Sequence, residues 1–307
     1  LGLRLRPTWH FPPGAATTIR RMALSGAVVL GSQDLATAVV LRLANQQGTG
    51  GAVVIYNLAW TVFTVPWAVA AVPLATSAFP ALTAAWQSAD RAGYAGTVSR
   101  TSRVLVVAVA AAAAVMVATS GPAARVVILG APGHVAPQVL ARGLAAFAPG
   151  LLGYGLIALL SRALYAQGDA RTPAVAAMTG WLVAIGADIG LVAALPRSWT
   201  VAAFGIGTAV GVSMCAGWLL LALRRTAGAG ALGGLGRAGA AAIGSGAVAA
   251  GCGWLLAGRV HGSGVLLNLA VGAGVAVVTL AVHLGLAAVV DRRTIQLLFA
   301  RGRLRRA

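Results

Sequence analysis

Long apolar runs, separated by short polar segments, occupy most of the chain from residue 18 to residue 290. The runs are about 20 residues or longer, which is the length that an α-helix needs to cross a hydrocarbon layer of about 30 Å. A backbone in lipid must satisfy its own hydrogen bonds, so the runs predict helices rather than isolated strands. We predict an all-α polytopic membrane protein with eight transmembrane helices, at residues 18–43, 52–79, 98–120, 137–161, 172–195, 200–223, 237–257 and 264–290.

The segments outside these runs have three different compositions. Residues 1–17 begin as a loop and form a predicted cytoplasmic linker, so we expect the chain to be the C-terminal part of a longer protein. Residues 225–236 are rich in Gly and Ala and predict a flexible cytoplasmic linker. Residues 291–307 alternate Arg with apolar residues, which is typical of a basic tail on the cytoplasmic lipid surface.

The composition supports a membrane protein. Apolar residues make up 59% of the chain and charged residues 9%, whereas about a quarter of a soluble domain is charged. The net charge of +18 comes from arginine alone, because the chain has no lysine. On a soluble protein this charge would suggest nucleic acid. Here the arginines lie between the apolar runs, so we expect membrane lipid as their partner and no nucleic acid.

The arginines also predict the orientation of the chain. Eighteen of the 23 fall on one side of the predicted membrane. The positive-inside rule then places both termini in the cytoplasm of a bacterial inner (plasma) membrane. An even number of spans requires the termini to share a side, so the two arguments agree.

The sequence contains no signature of catalysis. Cys215 and Cys252 lie inside apolar runs without a second cysteine or a histidine at ligand spacing, which argues against a metal site or a disulfide. No Ser/His/Asp or Cys/His set converges, and no glycine-rich phosphate loop follows a strand. We therefore expect no enzymatic activity and no cofactor, apart from a coupling Na+ or H+.

Three prolines in the second predicted span suggest a helix that bends. Pro66, Pro73 and Pro80 are seven residues apart, which is about two helical turns, so they share one face. Each removes a backbone hydrogen bond, and interrupted helices line cavities and absorb motion in transporters. The alternative is a static kinked helix.

Two carboxylates inside predicted spans are the strongest candidates for a functional site, because a bare charge in lipid is costly. Asp34 lies in the first span and Asp188 in the fifth. We predict that they face each other and bind a cation or proton, which would relieve both the desolvation and the mutual repulsion. Neutral oxygens would come from Ser32, Gln33 and Thr208. The alternative is two separate acids, each satisfied by backbone or water.

Two stretches of the chain resemble a known family. The first is Tyr56-Asn57-Leu58-Ala59-Trp60, followed by Val65-Pro66 and by residues 73–83, PLATSAFPALT. The second is residues 161–173, SRALYAQGDARTP. Both resemble the MurJ (MviN) lipid II flippases of the MOP transporter superfamily, and the resemblance extends over about residues 1–224.

The resemblance implies a fold of two six-helix lobes plus two extra helices, of which this chain would supply spans seven to fourteen. Residues 18–224 would be the second MOP-type lobe and residues 237–290 the two additional C-terminal helices. The missing N-terminal lobe and a polyprenyl-diphosphate-linked, lipid II-like precursor would be its partners, with transport by alternating access. Some members hold sodium among the equivalents of the first, fifth and sixth spans. The implied cavity-helix residues are Tyr56, Asn57, Thr61, Pro66, Pro73 and Pro80, and the implied cytoplasmic motif is Arg162, Tyr165, Asp169, Arg171, Thr172 and Pro173.

The chain also departs from the family pattern. Many members carry a cavity arginine in the second of these spans, whereas Thr61 lies near that place here, and Trp67 replaces a glycine. Ala184 lies one turn before Asp188, where an amide ligand is expected. These changes favour a divergent, actinobacterial-type member. The open alternatives are an exporter of another amphiphile within the superfamily and a non-transporting scaffold for cell-wall synthesis.

Overall fold

The computed structural model describes residues 15–129, 136–260, 264–292 and 294–296, and the regular structure in these residues is entirely helical. A π-helical turn lies at Trp67–Ala71, and short 3-10 turns lie at Arg197–Trp199 and Ala229–Leu232. The helices are α1 (Ala15–Gln47), α2 (Ala52–Pro66), α3 (Val72–Gln87), α4 (Arg91–Leu129), α5 (Pro137–Phe147), α6 (Gly150–Ala166), α7 (Arg171–Ala194), α8 (Thr200–Ala227), α9 (Leu235–Arg259) and α10 (Val265–Val290).

The helices confirm the predicted fold class. Seven described stretches are long and apolar enough to cross a membrane, and α5 with α6 makes an eighth, bent by 42°. The bend falls at Ala148-Pro149, where proline has no N–H to continue the helical ladder. Several helices extend beyond the predicted apolar runs. For example, α4 begins at Arg91, because polar residues at the ends of a span continue the helix outside the apolar layer.

Helix α4 lies at the centre of the fold and packs against α3, α5, α6, α9 and α10. One buried cluster joins aromatic and aliphatic side chains of α2, α5 and α8, and a second joins α3, α4, α6 and α8 through leucines. Helices α7 and α8 pack closely, because a Cβ atom at Gly211 would overlap the Gly180 carbonyl. The small residues in this part of the sequence thus permit backbone-to-backbone packing.

Helices α9 and α10 pack on α4 and on each other. Their interface contains buried polar side chains, so the polar residues of α10 face protein rather than lipid. The His283 ring donates from Nε2 to the Val107 carbonyl over 3.2 Å, since a carbonyl can only accept. Its Nδ1 lies 3.0 Å from the Ser245 hydroxyl. This hydrogen-bonded contact among α4, α9 and α10 attaches α9 and α10 to the other helices.

The segment 225–236 differs from the predicted flexible linker. It contains the end of α8, the turn at Ala229–Leu232 and the beginning of α9. Ala231 is buried, and the Ser99 hydroxyl of α4 donates to the Gly233 carbonyl over 2.6 Å. Gly228 and Gly234 adopt positive φ angles of 80° and 73°, which only glycine adopts readily, so the glycines make a tight turn here. Most of the predicted segments 1–17 and 291–307 lies outside the described residues.

Candidate functional site

Asp188 lies in the interface between α7 and α8. Its side chain is 1% exposed, and its Oδ1 accepts no hydrogen bond from any described residue. It lies against Gly207 of α8, where a Cβ atom would overlap the carboxylate. The absence of a side chain at Gly207 therefore creates the space that Asp188 occupies.

The other predicted cation ligands are distributed over different surroundings. Thr208 is buried on α8, next to Gly207. Ser32 is half-buried on α1 and donates to the Val29 carbonyl over 2.9 Å. Asp34 is exposed, and no hydrogen bond joins its carboxylate to Asp188. A cation site shared by the two carboxylates stays a prediction.

The three prolines of the second span do not break it, because α2, the π turn and α3 form one continuous helical stretch over Ala52–Gln87. Pro66 is the last residue of α2, and Pro73 lies in the first turn of α3. The π turn at Trp67–Ala71 therefore occupies the interval between them. Neither proline can donate to an α-helical ladder, and the wider π turn accommodates the missing bonds.

One face of this span carries hydroxyl groups and is exposed. The Thr61 hydroxyl donates to the Asn57 carbonyl over 2.8 Å, and the Thr76 hydroxyl donates to the Val72 carbonyl over the same distance. No charged residue occurs between positions 52 and 87. We call this surface the hydroxyl face, and it comprises Asn57, Thr61, Thr64, Thr76, Ser77 and Thr83.

The π turn brings the two halves of the hydroxyl face into register. Thr64 and Thr76 are twelve residues apart, which in a regular α-helix would rotate them by about 120° from each other. A π turn contains one extra residue and removes about 100° of this rotation. The threonines of α2 and α3 therefore point in nearly the same direction.

The opposite face of α2 is aromatic and packs inward. The Trp67 ring contacts Tyr154 at a centroid distance of 4.9 Å, and Tyr56 makes an edge-on contact with Phe204 at 5.7 Å. The structure thus separates Tyr56, which is buried in this cluster, from its neighbours Asn57 and Thr61 on the exposed face. The cluster comprises Tyr56, Trp60, Phe63, Trp67, Phe147, Tyr154, Trp181 and Phe204.

The predicted cytoplasmic motif mainly builds the start of α7. Asp169 Oδ1 accepts hydrogen bonds from the backbone N–H groups of Arg171 and Thr172, at 3.1 and 3.0 Å. Gly168 makes the preceding turn with a φ of 82°. Pro173 lies in the first helical turn, where its missing N–H has no intrahelical partner. Asp169, Thr172 and Pro173 therefore form a helix start, as capping residues do.

The sequence analysis missed Tyr94, the residue that connects this motif to α4. The Tyr94 hydroxyl of α4 donates to the Ala163 carbonyl over 2.7 Å and accepts from Gln167 Nε2 over 2.9 Å. Nothing in the sequence pattern signals this pairing, because the residues are about 70 positions apart.

Other motif residues line a cavity of about 440 Å³ between α1, α3, α6, α7 and α8. Arg162 and Tyr165 of α6 lie along it, together with Gln33 of α1 and Trp67 of the π turn. Arg162 uses Nη1 to donate to the Ala158 carbonyl over 2.7 Å. The structure thus brings Gln33, which we expected to be a cation ligand, into the same cavity as the arginine of the family motif.

Comparison with known proteins assigns the family. A family model described as lipid II flippase MurJ matches residues 1–273. A solved structure of lipid II flippase MurJ, in an inward closed conformation, shares the fold with a TM-score of 0.61 and 16% identity. The match covers 83% of this chain and 51% of that one, so the chain spans about half its length. No curated protein matches the chain. On the family model, which covers most of its residues, this chain belongs to the MurJ lipid II flippase family.

Proposed function

We propose that the chain is one lobe, with two additional helices, of a transporter that moves a polyprenyl-diphosphate-linked, lipid II-like precursor across the plasma membrane. The observation that carries the proposal is the exposed hydroxyl face on the interrupted α2–α3 span, in a chain of the MurJ family. Both termini of the lobe lie in the cytoplasm in this proposal, as the arginine distribution predicts.

The polar side chains of the hydroxyl face favour contact with water, substrate or a second lobe over contact with lipid. Asn57 and Thr61 are exposed within the first third of a span, where a polar side chain facing hydrocarbon is unfavourable. Helix α1 also leaves most of its surface exposed. A second lobe packed across α1 and the α2–α3 span would enclose a cavity, and rocking of the two lobes would open it alternately to each side.

Because the hydroxyl face is uncharged, we propose that the two lobes bind different parts of the precursor. Diphosphate is held best by arginine, which donates bidentate hydrogen bonds, but residues 52–87 contain none. In our proposal the second lobe supplies these cations. The hydroxyls and Asn57 of this lobe contact the neutral sugar and peptide parts of the head group.

Asp188 is our proposed coupling residue. A buried carboxylate without a donor must carry a proton or bind a cation. Thr208, next to Gly207, and the carboxylate itself offer the hard oxygen ligands that Na+ prefers. Ala184 supplies no side-chain oxygen one turn away, so a Na+ site would need backbone or water ligands.

The function can be tested in a bacterium depleted of its own MurJ. A chimaera joins the first lobe of that MurJ to this chain. We expect the chimaera to restore growth, and a chimaera lacking residues 52–87 of this chain to fail. An exporter of a different amphiphile, or a scaffold that does not transport, would express in the membrane without restoring growth, and this result would overturn the proposal.

A further inference from the structure

The positive charge of Arg162 in this cavity has no carboxylate beside it among the described residues. No acidic residue lines it, and Arg162 is half-buried and forms no ion pair with the described part of the chain. The chain contains only five acidic residues, and the structure places each of them elsewhere. Asp188 lies against Gly207 and Asp34 is exposed on α1, while the other three bind the backbone at helix starts: Asp90, Asp169 and Asp291.

Several polar groups along this cavity can donate hydrogen bonds. Arg162 commits Nη1 to the Ala158 carbonyl, which leaves further guanidinium N–H groups available. The indole Nε1 of Trp67 is buried and has no acceptor among the described residues. The hydroxyls of Ser161 and Tyr165 belong to the same lining. A half-buried guanidinium without an ion-pair partner favours an anionic acceptor, and a phosphate group offers several oxygens to the donors of this cavity.

A second cavity, of about 500 Å³, adjoins the first and shares Val29, Phe79 and Tyr165 with it. Among the described residues its lining carries no charge, and it includes Leu30 and Phe79, which are exposed apolar side chains of α1 and α3. An anion that also has an apolar chain would therefore fill both spaces, with its charged end at Arg162. None of the threonines of the hydroxyl face lines either cavity.

We propose that this pair of cavities is a binding site for the phosphate group of an anionic lipid, with the phosphate at Arg162 and the lipid chain along Leu30 and Phe79. The proposal goes beyond the proposed function, because it does not depend on which substrate the chain helps to transport. Bound lipid would neutralise the arginine and connect α1, α3 and α6 at one end of the lobe.

The two cysteines of the chain provide a direct test. Cys215 lines the cavity, whereas Cys252 is exposed on α9. In the purified chain carrying Cys252→Ser, a small thiol reagent such as methyl methanethiosulfonate reports access to Cys215. We expect dihexanoyl phosphatidic acid to slow this reaction at least tenfold at saturation. In the Cys215→Ser chain, the reaction of Cys252 should keep its rate.

Matched probes and variants separate the possible causes of protection. Dihexanoyl phosphatidylcholine has the same chains but a neutral head group, and equal protection by it would overturn the phosphate site. Inorganic phosphate should protect only at a concentration at least tenfold higher, and equal potency would overturn the lipid as occupant. Arg162→Gln should weaken protection at least tenfold. Arg100→Gln should not, although Arg100 bonds to its own helix in the same way, through Gly96.

The test remains decisive if Arg162→Gln does not fold. Arg162→Lys keeps the charge and loses the bidentate geometry, so it should retain protection with reduced affinity. The wild-type chain by itself gives the primary result. Failure of phosphatidic acid to protect Cys215 in the wild-type cavity overturns the site and leaves the proposed transport function untouched.

Discussion

Gly207 is the residue that allows a carboxylate between α7 and α8. Gly207→Ala places a methyl group against the Asp188 carboxylate. We expect this change to lower the stability of the purified chain by about 1–3 kcal/mol, as overpacking of a tight interface does. Thermal unfolding followed by circular dichroism would measure the effect as a lower Tm.

Gly217 is the matched control on the same helix, because a Cβ there meets no neighbouring atom. Gly217→Ala should leave the stability unchanged or raise it by up to about 1 kcal/mol, since alanine favours helix. If both alanine variants unfold at the same temperature, the tight contact between Gly207 and Asp188 is absent.

Asp188 and Asp34 give different predictions because their surroundings differ. Asp188→Asn should remove any dependence of thermal stability on Na+ or pH, since the amide neither titrates nor neutralises a cation. Asp34→Asn should do the same if the two carboxylates share one site, and should have no effect if Asp188 acts by itself. A dependence that persists unchanged in both variants would contradict a cation or proton site at these residues.

At the scale of the element, the α2–α3 span combines an aromatic inner face with the hydroxyl face. Its π turn lies between Pro66 and Pro73 and sets the register of the two halves. Pro66→Ala restores a backbone N–H next to the turn and should stiffen the span. In a transporter that contains this chain, we expect turnover to fall by about tenfold, with an unchanged or higher Tm.

Pro80 is the control for this prediction. It is exposed and lies in regular α3 helix, away from the π turn. Pro80→Ala should therefore change turnover much less than Pro66→Ala does. Equal turnover in Pro66→Ala and the wild type, measured with equal protein in the vesicles, would show that the π turn is a static feature.

The elements could be predicted from the sequence because the apolar runs are long and lipid permits few backbone structures. The π turn could not be predicted from the sequence, since prolines seven residues apart are compatible with several local geometries. Tyr56 and Asn57 could not be assigned to opposite faces, because both fit the family motif and only packing against Phe147 and Phe204 distinguishes them. The cavity that joins Gln33 to Arg162 depends on how five helices assemble, which no spacing in the sequence encodes.

At the scale of the whole molecule, the arginine distribution predicts one orientation. Single cysteines introduced at positions 95 and 230, in a chain with Cys215 and Cys252 replaced, should react with an impermeant thiol reagent only after the cells are opened. Position 95 lies near the start of α4, and position 230 lies in the turn before α9. Labelling of either position from outside intact cells would reverse or break the proposed topology.

The most extensive exposed surfaces belong to α1, the α2–α3 span, α7 and α10, whereas α4 is the most buried span. A lobe with this distribution has a complete interior of its own, built around α4. In our proposal the cavity lies against the exposed hydroxyl face, which encloses none by itself. In our account one lobe therefore provides one wall, and transport requires a second body against the hydroxyl face.

The central claim is best tested by transport in vesicles. The purified chain is reconstituted by itself and, separately, joined to the first lobe of a MurJ, with a fluorescent lipid II analogue in both leaflets. An impermeant quencher then reports how quickly the protected analogue crosses to the outer leaflet. The account predicts that the chain by itself matches empty liposomes and that the joined protein transports. Transport by the chain without a second lobe, or none by the joined protein in folded form, would contradict it.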